Sequence, residues 1–351
     1  MDFPDEVRGR WPQLAWERAR PVGGGLINGT WEVPSREGVP RIVQRVNPIF
    51  DPRVHENIEA VTEWLARKGI STPRLIPTGR GERFAASDAG VFRVLSRLPG
   101  RTLDHWGRPS QAAAAGRTLA SLHVALTDLP HEFVGRRLGV HDTSAHLATL
   151  RAALEAHGDH RLRPEVGALA AEIFAASAAL AAIPSAAVVV GHGDPKAANL
   201  MVSSDDLQPY AWIDLDTVGP IELAHELGDA LRSWCNAGGE DAAAPRFDLA
   251  LHEAAVRGYV TGVRGEAIGI GRAKIATALE VGLPWICLEL SARFAADALR
   301  ESYFGWDPEA FEGRGEHNLW RARGQWALYR AVIEHAAARR GQIASALELT
   351  A

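Results

Sequence analysis

The feature that most constrains this chain is a polar loop set between two apolar strand-like segments. Val188, Val189 and Val190 read as a short buried strand, and residues 191–199 then run GHGDPKAAN. A second apolar stretch, Ala211-Trp212-Ile213, leads directly to Asp214, with Asp216 two residues on. An Asp, an Asn five residues later and a further strand-delivered Asp are the set that phosphoryl transfer requires. One carboxylate orients the attacking hydroxyl and accepts its proton, while a neutral oxygen and a second carboxylate hold magnesium against the phosphates of ATP. Mg2+ prefers hard oxygen ligands and is often held by one or two carboxylates plus phosphate. Asp194 is therefore expected to be the base, and Asn199 and Asp214 the metal ligands. Lys196 is expected to neutralise the γ-phosphate as charge develops. The plain alternative is a polar turn in which Asp194 caps and Asn199 turns the chain. Strand context on both sides and the following I-D-x-D favour the chemical reading.

The N-terminal region supplies elements of matching kind. Gly23, Gly24 and Gly25 form a turn-prone run before Asn28, Gly29 and Thr30. Such a turn lets backbone N–H groups approach phosphates closely. Residues 30–33 and 41–46 read as the two strands of a hairpin, and 84–86 and 91–95 as further short strands. Residues 53–68 carry Val54, Ile58, Val61 and Leu65 on one helical face, with Gly69 as a stop and Pro73 shortly beyond. Arg45 on the second strand is expected to pair with the α- and β-phosphates, where a lysine is usual in protein kinases. Glu56, or Glu59 on the same helix, is expected to hold it.

Beyond residues 98–100 (LPG) the pattern changes. Residues 110–127, 143–157 and 165–182 are rich in Ala and Leu with a helical period, and helices are again expected from Asp248 onward. With 351 residues, two lobes are the default expectation. The boundary falls near residues 96–101, giving an ATP-binding lobe over 1–98 and a helical lobe over 99–351. A net charge of -5 offers no basic surplus for nucleic acid. Cys235 and Cys287 lack zinc-type spacing, so a reduced cytosol fits better than a disulfide framework. The start, MDFPDEVRGRW, carries no secretory pattern. The Ala-rich stretch 166–190 holds Glu172 and Pro184 and reads as a helix followed by a strand rather than a membrane span.

These pieces together resemble the aminoglycoside phosphotransferase and choline kinase superfamily, a branch of the protein-kinase-like fold. Residues 98–103 (LPGRTL) resemble its hinge exit and 119–124 (LASLHV) its helical L-A-x-L-H signature. A narrower resemblance, to the N-acetylhexosamine 1-kinase group, is carried by residues 26–30 (LINGT), 42–47 (IVQRVN), 56–58 (ENI), 213–218 (IDLDTV), 228–232 (GDALR) and 317–319 (HNL). Arg293-Phe294 and Tyr303-Phe304 belong to the same set. The resemblance implies an α+β, two-lobed protein-kinase-like fold with a small antiparallel-sheet N-lobe and a mostly helical C-lobe. It implies ATP and Mg2+ as cofactors and the anomeric hydroxyl of an N-acetylhexosamine as acceptor. Asn28, Thr30, Arg45, Glu56, Leu95 and Arg97 would then face the nucleotide, with adenine near the hinge at 95–98. Arg293 and Tyr303 would contact the sugar, and Trp234 would offer a stacking face. Asp229 would support the catalytic loop. The chain departs from the group at Gly193, at residues 219–222 and at residues 233–235, which are expected on the acceptor side. Rival expectations are a kinase for an aminoglycoside, an amino alcohol or another sugar, and a nucleotide-binding pseudokinase. The expected partner is a small molecule, with neither nucleic acid nor membrane involved.

Overall fold

A computed structural model describes residues 3–23, 27–180, 182–183, 187–239, 245–264 and 267–348. Of the glycine run, Gly24 and Gly25 lie outside the described residues, as do Leu26 and Pro184. The N-terminal part begins with helix α1 (Asp5–Arg10) and a five-stranded antiparallel sheet. Its strands are β1 (Arg20–Pro21), β2 (Gly29–Glu32), β3 (Arg41–Val46), β4 (Ala85–Ser87) and β5 (Gly90–Ser96), ordered β1-β2-β3-β5-β4. Helix α2 (Val54–Arg67) connects β3 to the rest of the sheet and ends before Gly69, whose φ of 75° suits glycine alone at low strain.

Strand periodicity sorts the sheet residues onto two faces. Trp31, Val43 and Val94 stand opposite one another in register, and Val43 and Val94 lie in a small apolar cluster with Phe3, Val7, Trp11 and Phe92. The intervening residues Thr30, Gln44 and Arg93 form the column on the other face. That second face looks toward the catalytic region, because Arg93 reaches Asp216 there.

The helical remainder comprises α3 (Pro109–Leu126), α4 (Thr143–Ala156), α5 (Arg163–Ala179), α6 (Leu223–Trp234), α7 (Leu249–Gly262), α8 (Arg272–Arg300), α9 (Arg314–Glu334) and α10 (Ala336–Glu348). Two antiparallel strand pairs interrupt it: β6 (Val188–Gly191) with β9 (Gly219–Glu222), and β7 (Leu200–Val202) with β8 (Pro209–Trp212). The large apolar cluster extends from α3 through α6, α7 and α8 to α9, and it takes in Val54, Ile58, Val61 and Leu65 of α2. Helix α8 alone among the described helices is long and apolar enough to cross a membrane, and 67% of its most apolar window is buried within the molecule. The stretch 166–190 forms α5 and β6. The mixed architecture, with a small antiparallel sheet and a helical remainder, is a protein-kinase-like fold.

Candidate active site

The loop that follows β6 is held by its backbone. Glu226 of α6, fully buried, accepts from His192 N at 2.7 Å and from Gly193 N at 2.9 Å. His123 Nε2 lies 3.5 Å from the same carboxylate, and its Nδ1 is 2.9 Å from Tyr259 Oη. Burial alone would raise the Glu226 carboxyl, but His123, the His192 imidazole and the Gly193 N–H hold it below the usual glutamate value. From the other side Thr217 Oγ1 donates to His192 O at 2.9 Å. Gly193 has φ 82°, and a Cβ there would meet Thr217 O at 2.6 Å. The departure at 193 is therefore a packing requirement of this loop. Ser233 Oγ accepts from Ala197 N at 2.9 Å, so α6 grips the loop at two places.

Three of the expected catalytic side chains converge on this loop. Lys196 Nζ lies 2.8 Å from Asp194 Oδ2, and Asn199 Nδ2 donates to Asp194 O at 2.9 Å and to Asp194 Oδ2 at 3.0 Å. Burial would raise the Asp194 carboxyl, yet the adjacent ammonium of Lys196 outweighs it and holds the group down to about 2. Asp194 is thus a charged carboxylate at neutral pH. Asp214 is the opposite case. It adopts φ 60° and ψ 56°, a strained left-handed conformation for a residue with a side chain, and its Oδ1 is buried without a hydrogen-bond partner. Burial and then the neighbouring Asp216 push its carboxyl up to about 7. A divalent cation would satisfy that orphaned oxygen and relieve the charge. Among the described residues no cluster of three or more His, Cys, Asp or Glu side chains could hold a metal by itself. Asn199 and Asp214 fit instead the sparse protein ligand set that Mg2+ uses when phosphate oxygens complete its shell.

Asp216 is anchored, not free. Arg93, 1% exposed, binds it through both guanidinium nitrogens, with Nη2 to Oδ2 at 2.8 Å, and Asn28 Nδ2 donates to the same Oδ2 at 2.8 Å. Arg93 keeps the Asp216 carboxyl below its ordinary value against burial. Gln44 Oε1 accepts from Arg93 Nε at 2.9 Å, and Gln44 Nε2 donates to Thr30 Oγ1 at 3.3 Å.

This network corrects the expected nucleotide contacts. Arg45 does not face the catalytic region: it lies opposite Gly29 and Phe92 on the other face of the sheet, exposed, with its guanidinium over Gly90. A one-residue shift along a strand exchanges the faces. Gln44 therefore holds the inward position, and the inward cation is Arg93 on the neighbouring strand. Neither Glu56 nor Glu59 supports Arg45. Glu56 is exposed, and Glu59 pairs with Arg83 at 2.6 Å. Asn28 uses both ends of its amide internally, since its Oδ1 accepts from Asn47 N at 2.9 Å, so it ties the hairpin to Asp216. Thr30 and Leu95 stand on the inward face. Arg97 stitches the hinge, donating from Nε to Glu32 Oε2 at 3.0 Å and from Nη2 to Gly100 O at 3.3 Å.

The acceptor-side expectations divide. Trp234 is 1% exposed and stacks on Trp212 at 6.4 Å inside the core, so it offers no face to a ligand. Cys235 is likewise buried, and residues 233–235 lie beneath the loop rather than beside it. Asp229 pairs with Arg232 at 2.9 Å, and the charges of both act on Asp194, while Glu226 and Ser233 hold the loop's backbone. Arg293 and Tyr303 are brought together through Phe304. The Arg293 guanidinium lies 5.7 Å from the Phe304 ring, and the Tyr303 ring is 4.7 Å from it. Asp297 shapes this turn by accepting from Tyr303 N at 2.9 Å, Phe304 N at 2.8 Å and Asn318 Nδ2 at 3.0 Å. Glu289, 1% exposed at its side chain, accepts from His141 Nδ1 at 3.1 Å and Thr143 Oγ1 at 2.7 Å, with Arg293 at 3.8 Å.

A family model described as the APH phosphotransferase enzyme family matches residues 18–259. The chain belongs to this family. Its members' fold is seen in an amicoumacin kinase in complex with AMP-PNP, Ca2+ and Ami, which has a TM-score of 0.60 and 14% identity over 92% of this chain and 91% of that one. A choline kinase from Cryptosporidium parvum Iowa II matches with a TM-score of 0.58 and 12% identity over 94% of this chain and 95% of the other. A microcompartment-associated aminopropanol kinase matches with a TM-score of 0.57 and 17% identity over 91% and 94%. The family is one of phosphotransferase enzymes, and these kinases share the fold of this chain.

Proposed function

We propose that this phosphotransferase moves the γ-phosphate of ATP to the anomeric hydroxyl of an N-acetylhexosamine. The observation that carries the reading is the convergence of charged Asp194 with Lys196 and Asn199 on a loop whose backbone is fixed by Glu226 and Thr217. Asp194 orients the acceptor hydroxyl and takes its proton as the new O–P bond forms and the bond from the γ-phosphorus to the β–γ bridging oxygen breaks, releasing ADP. Lys196 neutralises charge on the transferring group. Asn199 and Asp214 would hold a divalent cation, which would offset the negative charge of the phosphates. Asp216 keeps the 214–217 turn docked under Arg93. Catalysis on this reading comes chiefly from positioning and fixed charge.

The choice of acceptor is supported by the sequence segments shared with the N-acetylhexosamine 1-kinase group and by the grouping of Arg293 with Tyr303. An amino alcohol or aminoglycoside acceptor is the rival, and the neighbouring choline and aminopropanol kinases favour it. The test is an ADP-release screen over sugars, amino alcohols and aminoglycosides with Mg2+ present, followed by NMR to locate the phosphate. Phosphate at C1 of N-acetylglucosamine or N-acetylgalactosamine supports the proposal. Turnover confined to amino alcohols or aminoglycosides defeats it.

A further inference from the structure

A segment that the catalytic reading leaves unused runs between the Gly219–Pro220 backbone and the Tyr303 turn. Residues 131–142 leave the end of α3 and lead into α4, forming a strap fixed at both ends. At its start the Asn57 side chain of α2 donates to Val134 O at 2.7 Å and accepts from Val134 N at 3.0 Å, and His131 Nε2 lies 2.9 Å from Asn57 Oδ1. At its end His141 is held on Glu289, its ring stacks 5.0 Å from His225, and Asp142 caps α4 by accepting from Ala145 N. Between these anchors stand Arg136 and Arg137, both accessible, flanked by Gly135 and Gly139 at φ 61° and 71°.

The two arginines are seated with care. Arg136 packs against Gly219 and donates from Nη2 to Pro220 O. A Cβ at 219 would come within 2.8 Å of Arg136 Nε, so a glycine is what makes the seat. Gly219 is the register partner of Gly191, the residue before the catalytic loop. Arg137 donates from Nη1 to Tyr303 Oη at 2.7 Å, with its guanidinium 5.4 Å from the Tyr303 ring. The strap thus spans from the root of the loop to the Tyr303 turn. No carboxylate among the described residues pairs with either arginine. Two buried carboxylates near the strap are engaged elsewhere, Glu289 by His141, Thr143 and Arg293, and Asp229 by Arg232, while its exposed Glu132 forms no ion pair with either arginine.

Resting on the proposed phosphotransfer to a sugar, we infer that Arg136 and Arg137 select an acceptor bearing an oxygen-rich, non-cationic group, a carbonyl or a carboxylate, beside its reacting hydroxyl. A guanidinium has five N–H donors and no acceptor, and it prefers planar oxygen groups. An ammonium group in the same place would face two unpaired cations. An acetamido carbonyl meets this demand, and a free amino group at the same carbon does not.

The test compares N-acetylglucosamine, glucosamine, glucose and glucuronate as acceptors for the wild type, Arg136→Ala, Arg137→Ala and the double variant. Expected is a wild-type preference in kcat/KM for N-acetylglucosamine over glucosamine that falls at least about tenfold in the double variant, one lost charge-assisted contact being worth roughly that factor. The KM for ATP stays unchanged, and Arg137→Lys restores part of the preference. Relative use of glucuronate and N-acetylglucosamine tells a carboxylate from a carbonyl. An unchanged preference in the double variant overturns the inference, as does a wild-type preference for glucosamine. A wild type that phosphorylates only amino alcohols or aminoglycosides overturns it too, while leaving phosphotransfer itself intact. Failure of every acceptor while ATP still binds removes the sugar kinase reading and this inference with it.

Discussion

The catalytic loop and the strap meet at β9, where Arg136 sits on the partner strand of the loop's root, but they are held in opposite ways. The loop is fixed through its backbone, by a buried carboxylate on one side and a hydroxyl on the other, so its side chains are positioned before any ligand arrives. The strap is fixed at its ends, with two accessible arginines between them. The contrast teaches where each property resides. Reaction chemistry rests on groups whose surroundings allow little change, because a preorganised site avoids reorganisation at the moment of transfer. Selectivity rests on a surface segment that can vary without unfolding the core.

The sharpest way to break this contrast is Asp194→Asn. It should lower kcat by about 10²–10⁴-fold, the usual range for a lost general base, while ATP binding by titration calorimetry survives. Near-normal turnover would remove Asp194 from its role. Next, Arg93→Ala strands the Asp216 carboxylate in a buried site. A loss of roughly 3–5 kcal/mol of unfolding free energy in urea is expected, with weakened turnover. A change below ~1 kcal/mol would show that the pair is dispensable.

Glu226→Gln tests whether the loop's backbone clamp matters. It leaves one oxygen to accept from one N–H group and turns an amide donor against the other, and about 1–3 kcal/mol of stability should go. Acid titration sharpens the point. The Glu226 carboxyl sits below its ordinary value of 4.5 in the folded protein, so its contribution is present above that value and fades as pH falls through the folded value. Unfolding free energies of the wild type should therefore decline more steeply than those of the variant below about pH 4.5. Parallel declines would assign the clamp no such role. Trp234→Phe should reduce thermal stability modestly and leave the acceptor KM untouched, since the ring lies in the core. A selective rise in acceptor KM would restore it as a ligand contact. Smallest of all, Arg45→Ala should stay within about 0.5 kcal/mol in stability and leave the KM for ATP unaltered.

Much of the fold was legible along the chain. Apolar periodicity located α2 through α5 and the strands of the N-terminal hairpin within a few residues, because each needs only its own pattern of burial. Elements made by pairing at a distance were missed. β7 and β9 are short, and β9 carries Pro220 and Glu222, so only its partnership with β6 makes it a strand. Helix α6 has a clear apolar face, but its polar residues fit a ligand site as well as a support, and only their contacts with the loop backbone distinguish the two.

The sequence by itself determined the order and spacing of Asp194, Lys196, Asn199 and Asp214 between short strands, since these are local along the chain and the charge and donor character of each follow from residue type. Tertiary structure alone decided which strand face looks inward, and so exchanged Arg45 for Gln44 and Arg93. A period of two gives both faces the same spacing, and only packing of Val43 and Val94 against Trp11 and Phe92 selects one. It also buried Trp234 and set Arg136 and Arg137 beside Gly219 and Tyr303. Those neighbours are more than 80 residues apart in the chain, and no local rule relates them.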